Sequence, residues 1–341
     1  MYAEPSPSRG GPPLAFVDDG AGRRLQRSRG AASVRFKVNE RGRTVLADLA
    51  QSAPCRAMVP RSDDLPTAAF ISTCGGLTSG DHVTFDLALD AGAEAVATTQ
   101  AAEKLDRAAP GGEPAVLEST VHVGDGAYCE WLPQETILFD GSRLRRKTVF
   151  DLAEGAALLA CELRVLGRAA HGEVYGDGFL LDRIEVRRGG GLDWLDILRL
   201  GSDPLSFNEH RSPEAPQGAV RGLPEGGAHL GGRPRPCASG LSGDRSVIGR
   251  AMGAVAGFHS RPAVGTILYA APNAESCLGQ ARAILDAGLP AKCAATAWDG
   301  KLIVRMLAND VQSLRAATAH FIRAFRAHLG RAPVMPRFWS L

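Results

Sequence analysis

The stretch HVTFDLAL, residues 82–89, decides the fold class of this chain. Its large apolar residues occupy every second position: Val83, Phe85, Leu87 and Leu89. Successive side chains of a β-strand point to opposite faces of the sheet, so this pattern predicts a strand with one packed face and one wet face. The same alternation recurs in SVRFKV (33–38), CELRV (161–165) and RIEVR (183–187).

Glycine-rich turns separate the predicted strands, at residues 124–126, 176–178 and 189–191. Glycine tolerates the positive φ angles that tight turns require. Many short strands at this spacing indicate a mostly β domain, and the absence of strand–helix alternation argues against a doubly wound sheet.

The pattern changes near the C-terminus. Residues 273–287 predict a short helix, with Asn273 as a candidate N-cap and Gly288 and Pro290 after its end. Residues 310–329 predict a longer helix with an apolar stripe, and Gly330 fits the position after its C-cap. We therefore predict a mainly β protein, with many short strands in packed sheets (sandwich-like or solenoid-like) and two C-terminal α-helices.

Composition divides the chain into a tail and one domain. Residues 1–31 are rich in Pro, Gly, Ser and Arg, which predicts a disordered tail. Residues 32–341 are interpreted as a single domain. Within it, residues 212–247 are dense in Gly and Pro and predict a long mobile loop.

Charge and composition exclude several classes of protein. A formal net charge of +2 argues against nucleic-acid binding as the main task. The chain has no apolar run that could span a bilayer and no signal-peptide pattern at its start, so we expect a cytoplasmic protein that does not bind membranes.

The cysteines and histidines show none of the common metal-binding spacings. The seven cysteines include no Cys-x-x-Cys, and the eight histidines show no His-x-His or His-Glu-x-x-His spacing. We therefore expect no disulfide framework and no tightly bound metal or other cofactor.

Three stretches carry polar residues suited to chemistry. STCGGLTSGD (72–81) is a glycine loop without the Gly-Lys-Ser/Thr of a nucleotide site, and Asp81 could cap backbone donors there. TTQAAEKLDR (98–107) is consistent with a strand that runs into a charged turn. In GRAAHGE (167–173), His171 beside Glu173 fits an acid/base pair or, more commonly, a solvated turn.

EWLPQETILFDGS (130–142) sets three carboxylates among large apolar residues: Glu130, Glu135 and Asp140. They could serve acid/base catalysis, hold a cation, or cap strands and turns. Glu130 and Glu135 would point to opposite faces of one regular strand, which disfavours a glycosidase-like pair, although Pro133 could reorient them.

Five stretches together resemble the urease accessory protein family UreD, called UreH in some bacteria. They are GGLTSGD (75–81), TTQAAEKLDR (98–107), EWLPQETILFDG (130–141), LGRAAHGE (166–173) and PRFWSL (336–341). They follow the family's order, and EWLPQETILFDG is the most specific of them.

This chain departs from the family pattern at three places. It has Ser79 before Gly80-Asp81 where Gly-Gly-Asp is usual. It has Glu103 and Asp106 where the family reads Thr-Lys-x-Tyr-Arg, and it ends in PRFWSL rather than Pro-Arg-Ile-Trp-x-Thr.

The resemblance implies a largely β fold and a function without catalysis. UreD-like proteins join a bridging helical protein, UreF, and through it a GTPase, UreG. The assembly acts as a GTP-dependent chaperone on urease apoprotein and inserts nickel into its active site. An internal water-filled tunnel has been proposed as the nickel route, so Ni²⁺ would be a transient cargo.

Under this resemblance the isolated carboxylates have a physical use. A conduit must bind a cation weakly enough to release it, which His and Cys ligands would oppose. Asp81, Asp140 and Glu173 each adjoin a glycine that could bend them toward one passage, so they are the predicted conduit; turn capping is the alternative.

Other residues of the matching motifs stay in place, and the C-terminal segment is a candidate partner contact. The motif residues are Thr99, Gln100, Lys104, Arg107, Glu130, Glu135 and Arg168. Met335, Phe338 and Trp339 are costly to leave in water, so they either contact a partner or pack back onto the sheet. Two other functions stay open: a protein-binding β scaffold without a metal role, and a carboxylate-dependent hydrolase.

Overall fold

The computed structural model describes residues 16–18, 24–61, 64–201 and 261–340. The predicted loop at 212–247 and the first fifteen residues of the predicted tail lie outside the described residues.

Strands dominate the described chain, and the two α-helices come near its end. In chain order the elements are β1 (Phe16–Asp18), β2 (Arg24–Gln26), β3 (Arg29–Val38), β4 (Thr44–Gln51), β5 (Cys55–Met58), β6 (Thr67–Ser72), β7 (His82–Leu89), β8 (Glu94–Thr99), β9 (Glu103–Leu105), β10 (Ala115–Val123), β11 (Tyr128–Trp131), β12 (Thr136–Leu138), β13 (Arg143–Leu152), β14 (Ala157–Leu166), β15 (Phe179–Arg188), β16 (Gly191–Leu200), β17 (Ala263–Ala270), α1 (Leu278–Asp286), β18 (Lys292–Trp298), β19 (Lys301–Ala308) and α2 (Val311–His328). The mainly β prediction with two C-terminal helices is confirmed.

Two large sheets form the body of the protein. The first has the strand order β16-β15-β13-β10-β7-β3-β4, and the second runs β18-β19-β17-β14-β11-β8-β6-β5. In the second sheet β12 also pairs with β14, and β9 pairs with β12. The chain crosses from one sheet to the other at almost every step from β6 to β15. Neighbours in the middle of each sheet are therefore parallel, as β10 and β13 are, without any crossover helix.

Short stacked turns make these crossings. Four-residue connections at 90–93, 124–127 and 153–156 follow β7, β10 and β13. Backbone hydrogen bonds link neighbouring turns, from Gly92 N–H to the Asp125 carbonyl and from Ala153 N–H to the Val123 carbonyl. The predicted glycine turn at 124–126 is one of them, and the arrangement is solenoid-like.

The hydrophobic core has two parts. One lies between the two sheets and includes the alternating residues of β7, whose burial follows the predicted period of two. The other lies between the second sheet and the helices, and it includes Leu314, Phe321 and Phe325 of the predicted stripe on α2. The second sheet is thus a middle layer, covered on both faces.

That middle position overturns one prediction. The stretch CELRV lies in β14, where Glu162 and Arg164 are buried as fully as their apolar neighbours. They face the first sheet rather than water, because a strand covered on both sides has no wet face.

The boundaries of the predicted elements need two further corrections. β3 begins at Arg29, so the folded region starts before residue 32. Asn273 does not cap α1: a short 3₁₀ turn at Glu275–Cys277 precedes that helix, and the Asn273 side chain accepts a hydrogen bond from the Tyr269 hydroxyl.

The helix ends agree with the sequence. Asp310 caps α2 by accepting from the Ser313 N–H. Gly288 and Gly330 have the positive φ angles predicted after the two helices. Neither described helix has the length and apolar content that a membrane span requires.

Candidate functional site

The acids of EWLPQE tie the second sheet to α2. Glu130 is fully buried on β11, and its carboxylate accepts from the Tyr128 hydroxyl at 2.8 Å and from Arg326 of α2 at 2.9 Å. Glu135 lies beyond Pro133, outside regular strand, and pairs with Arg315 of α2 at 2.6 Å. Neither acid faces an open cleft, and the two do not face each other.

The spacing of the two ion pairs fits helix and strand geometry. Five residues of extended chain span about 16 Å. Eleven residues of α-helix, from Arg315 to Arg326, also span about 16 Å and return to nearly the same face after three turns. The irregular segment at Pro133 turns Glu135 toward the helix, so both acids meet one face of α2.

The C-terminal segment packs onto the same stretch. The Trp339 indole N–H donates to the Leu132 carbonyl at 2.9 Å, and the Gln134 amide donates to the Phe338 carbonyl at 3.1 Å. Arg315 lies over the Trp339 ring at 5.3 Å. Trp339 is therefore held inside the protein, while Met335 and Phe338 keep part of their surface exposed.

Asp140 and Glu173 meet at one loop cluster. One oxygen of Asp140 accepts from the backbone N–H groups of Gly176 and Asp177, each at 2.9 Å, and the other accepts from Arg107 at 2.6 Å. Glu173 accepts from the Asp140 N–H at 3.1 Å and pairs with Arg168. The structure thus brings together two of the three acids of the predicted conduit.

Gly141 is required at this loop. It has a φ of +75°, and a Cβ there would lie 2.6 Å from the Arg107 guanidinium. A larger residue would therefore strain the backbone and displace Arg107 from Asp140.

Both acids are held as anions. Burial raises the pKa of Asp140, but the backbone N–H groups of Asp177 and Gly176 and the Arg107 guanidinium outweigh it, so the pKa lies below its ordinary value. The hydrogen bond from Arg168 lowers the pKa of Glu173, assisted by the Asp140 N–H. Asp140 also borders a groove of about 910 Å³ that Arg107, Arg143 and Asp177 help to line.

Asp81 does not contact this cluster. Its carboxylate is buried and accepts from the Ser28 N–H at 2.8 Å and the Thr78 N–H at 2.9 Å. Asp81 therefore caps a turn, which is the alternative that the sequence left open.

The remaining motif residues have mixed surroundings. Thr99 accepts from the Gln134 N–H at 2.9 Å and so joins β8 to the EWLPQE stretch. Gln100 and Lys104 are exposed. Arg168 lies over the Phe139 ring at 4.1 Å, which fixes its guanidinium beside Glu173.

Sequence reasoning missed a buried charge cluster between the sheets. Arg146 reaches Asp182 at 2.5 Å and Glu162 at 2.7 Å, and Arg164 pairs with the same Asp182. Burial raises the pKa of Asp182, but Arg146 and Arg164 lower it to about 2. The only sequence signal for this cluster was a charged residue at every second position, and a strand with a solvent-exposed face shows the same pattern.

A small cavity with polar and apolar lining residues adjoins this cluster. It has a volume of about 30 Å³, and Glu103, Trp131, Arg146 and Glu162 are among its lining residues. The Trp131 indole N–H is buried there without a partner in the described structure. Burial raises the pKa of Glu103 to about 7. A cavity of this size, with several hydrogen-bonding groups in its wall, can hold a water molecule.

No three His, Cys, Asp or Glu side chains in the described part of the chain converge as a metal site would require. Any cation bound at Asp140 or Glu173 would have to compete with the arginines already paired there.

Comparisons with known proteins agree with this fold and these motifs. The family described as UreD urease accessory protein matches residues 28–219 and 239–340. Urease accessory protein UreD 1 of Methylobacterium radiotolerans is 38% identical over 324 residues, which cover 94% of this chain and 95% of that protein. The UreD proteins of Azorhizobium caulinodans and Dinoroseobacter shibae are each 36% identical, covering 93% and 96% of this chain and 98% of each relative. The chain belongs to the UreD family of urease accessory proteins.

Proposed function

We propose that this protein acts in the cytoplasm in the maturation of urease and does not itself catalyse a reaction. The observation that carries the proposal is the family match over nearly the whole chain. Two features are consistent with a non-catalytic role. Glu130 is sealed inside the protein, and Glu135 is bound to Arg315 rather than facing a substrate.

The proposed partners are urease apoprotein, a UreF-type bridging protein and, through it, a UreG-type GTPase. The sequence has no nucleotide-binding loop, so the energy of GTP hydrolysis would come from another chain. This protein would contribute the surface that meets urease and the bridging protein.

We further propose that Ni²⁺ passes this chain as a transient cargo, with Asp140 and Glu173 at the mouth of its route. Asp140 is an anion beside a groove that Arg107 and Arg143 also line, and the space between the sheets holds buried charges and a small cavity bordered by Arg146 and Glu162. Substituting apolar side chains for a buried ion cluster often costs no stability. The presence of such a cluster here is therefore consistent with a role other than stabilising the fold.

A scaffold without a metal role is the second candidate. The carboxylates of Asp81, Asp140 and Glu173 all accept from backbone N–H groups, and two of them also pair with arginine. Such contacts position loops, which a partner surface also requires.

The test of the main proposal is co-expression of urease with its accessory proteins, with and without this chain. We expect urease purified without the chain to contain little nickel and to have little activity. Normal nickel content without the chain would refute a role in maturation.

The nickel route has a separate test. Asp140→Asn keeps an oxygen that can accept from Gly176 and Asp177 but removes the charge. We expect the variant to keep its partners and its melting temperature but to deliver less nickel to urease. Asp286→Asn, an exposed acid at the end of α1, is the matched control. Normal delivery by Asp140→Asn would favour the scaffold.

A further inference from the structure

The edge strand β16 exposes apolar residues on one short segment. Leu192, Leu195 and Ile197 are 57%, 37% and 51% exposed. They lie within six residues, on the last strand of the first sheet. The other large exposed hydrophobic residues of the described chain are spread over separate elements, for example Leu46 on β4 and Met58 on β5.

The inward side of β16 is firmly attached to the second sheet. Asp193 pairs with the buried Lys301 at 2.7 Å, and Asp196 accepts two hydrogen bonds from Arg305 at 2.6 and 2.7 Å. The strand is therefore held in place before any partner arrives, which lowers the entropy lost on binding.

Three cations lie beside the exposed apolar residues. Arg183 is opposite Ile197, and Glu185 is opposite Leu195, so these side chains project on the same face. Lys147, Arg183 and Arg187 all surround Glu185 at 3.5, 2.6 and 2.7 Å. Glu185 is 1% exposed, whereas each cation is more than 40% exposed, so these four groups carry a net charge of +2. Glu118 and Asp151 lie opposite Lys147 and Arg187 on this face, and Arg145 and Arg199 add two further cations, so the face keeps a net positive charge.

We propose that this face, formed by Lys147, Arg183, Arg187, Leu195 and Ile197 and called here the β16 face, docks an acidic partner protein that carries aliphatic residues. The inference rests on the proposed function, because the partner would be urease apoprotein or another accessory protein.

The charges decide between kinds of partner. An acidic surface would neutralise the excess cations and cover the aliphatic residues in one contact. A second copy of this chain, docked through the same face, would bring its own three cations against them. The charges therefore disfavour a symmetric dimer.

The test uses the full-length chain and purified probes: urease apoprotein and each of the other urease accessory proteins, measured one at a time. We expect wild type to bind one of them with an affinity that falls as ionic strength rises. Ile197→Asp should weaken that binding about tenfold or more, as at other buried interface positions. The new carboxylate can pair with Arg183, so the fold should tolerate it.

Two variants complete the design. Lys147→Gln should weaken binding about threefold and reduce its salt dependence. Leu46→Asp is the matched control, since Leu46 is 43% exposed on the opposite edge strand of the same sheet, and it should bind like wild type.

Each other outcome would overturn the inference. Wild-type binding by Ile197→Asp to every probe would exclude this face. A fall in melting temperature with unchanged binding would show that the chain itself covers the face, and altered self-association would assign it to a second copy. If the chain proves necessary for urease nickel content while Ile197→Asp binds normally, only the docking surface is wrong.

Discussion

Replacing Arg326 with methionine would leave the buried carboxylate of Glu130 without its guanidinium partner. Arg326 is 1% exposed, lies 2.9 Å from Glu130, and also donates to the Ala332 carbonyl at 2.8 Å. Methionine keeps much of the side-chain length and removes the charge and these hydrogen bonds. The perturbation therefore acts on the contact between α2 and β11.

The expected loss is large because both partners are out of water. Breaking a buried ion pair by removing one partner costs about 3–5 kcal/mol of unfolding free energy. Replacing both partners costs less, since no fully buried charge is left without its partner. Asp64, which also pairs with Arg326, stays charged, but its side chain is partly exposed to water. The double variant Glu130→Gln/Arg326→Met should therefore recover about half of the loss or more.

The loss should depend on pH. Burial raises the pKa of Glu130 in the wild-type protein, although Arg326 and Tyr128 oppose the rise. A carboxyl group whose folded pKa exceeds its unfolded pKa contributes stability that is lost as the pH rises between the two values. Without Arg326 the folded pKa rises further, so the window extends to higher pH. The stability deficit of Arg326→Met should be larger at about pH 8 than at about pH 5.

Urea unfolding followed by tryptophan fluorescence measures this, since Trp131 and Trp339 are buried near the contact. Arg323→Met is the matched control: Arg323 is exposed on the same helix, and its change should stay within about 0.5 kcal/mol. A deficit for Arg326→Met below about 1 kcal/mol, or one equal at both pH values, would refute the reasoning.

Two other predictions concern the interior and the C-terminal segment. Since the pKa of Glu103 is raised to about 7, its contribution to stability should fall as the pH rises from its unfolded value to about 7, by up to about 1.4 kcal/mol per pH unit. Glu103→Gln should remove that decline. Urea unfolding of both proteins across this pH range measures it, and the same dependence of stability on pH in the two proteins would contradict the assignment. Trp339→Ala should cost about 3 kcal/mol or more, because it removes a buried ring and the hydrogen bond to Leu132. Unchanged stability with impaired partner binding would instead make Trp339 a partner contact.

The strands and helices could be predicted because their patterns are local. The alternation in β7 and the stripe on α2 reflect which face of one element is buried, and a short stretch of sequence records that directly. The same reasoning failed for Glu162 and Arg164, because a charged residue at every second position looks alike whether it faces water or a buried arginine.

The candidate site was predicted in part. Asp140 and Glu173 were named, and they do meet, but their arginine partners Arg107 and Arg168 were recognised only as motif residues. Asp81 was grouped with them, yet its partners Ser28 and Thr78 lie in another turn. Sequence spacing gives no distance between turns that belong to different strands.

By itself the sequence determined the fold class, the family and the residues of each motif. Only the tertiary structure decided what the acids of EWLPQE do. Glu130 and Glu135 pair with arginines that lie about 180 residues or more further along the chain, on α2. At a rise of about 1.5 Å per residue, the eleven-residue step between those arginines is about as long as the five-residue extended step between the two acids. Such pairing depends on how the layers stack, and stacking is set by all the buried faces together rather than by any one stretch.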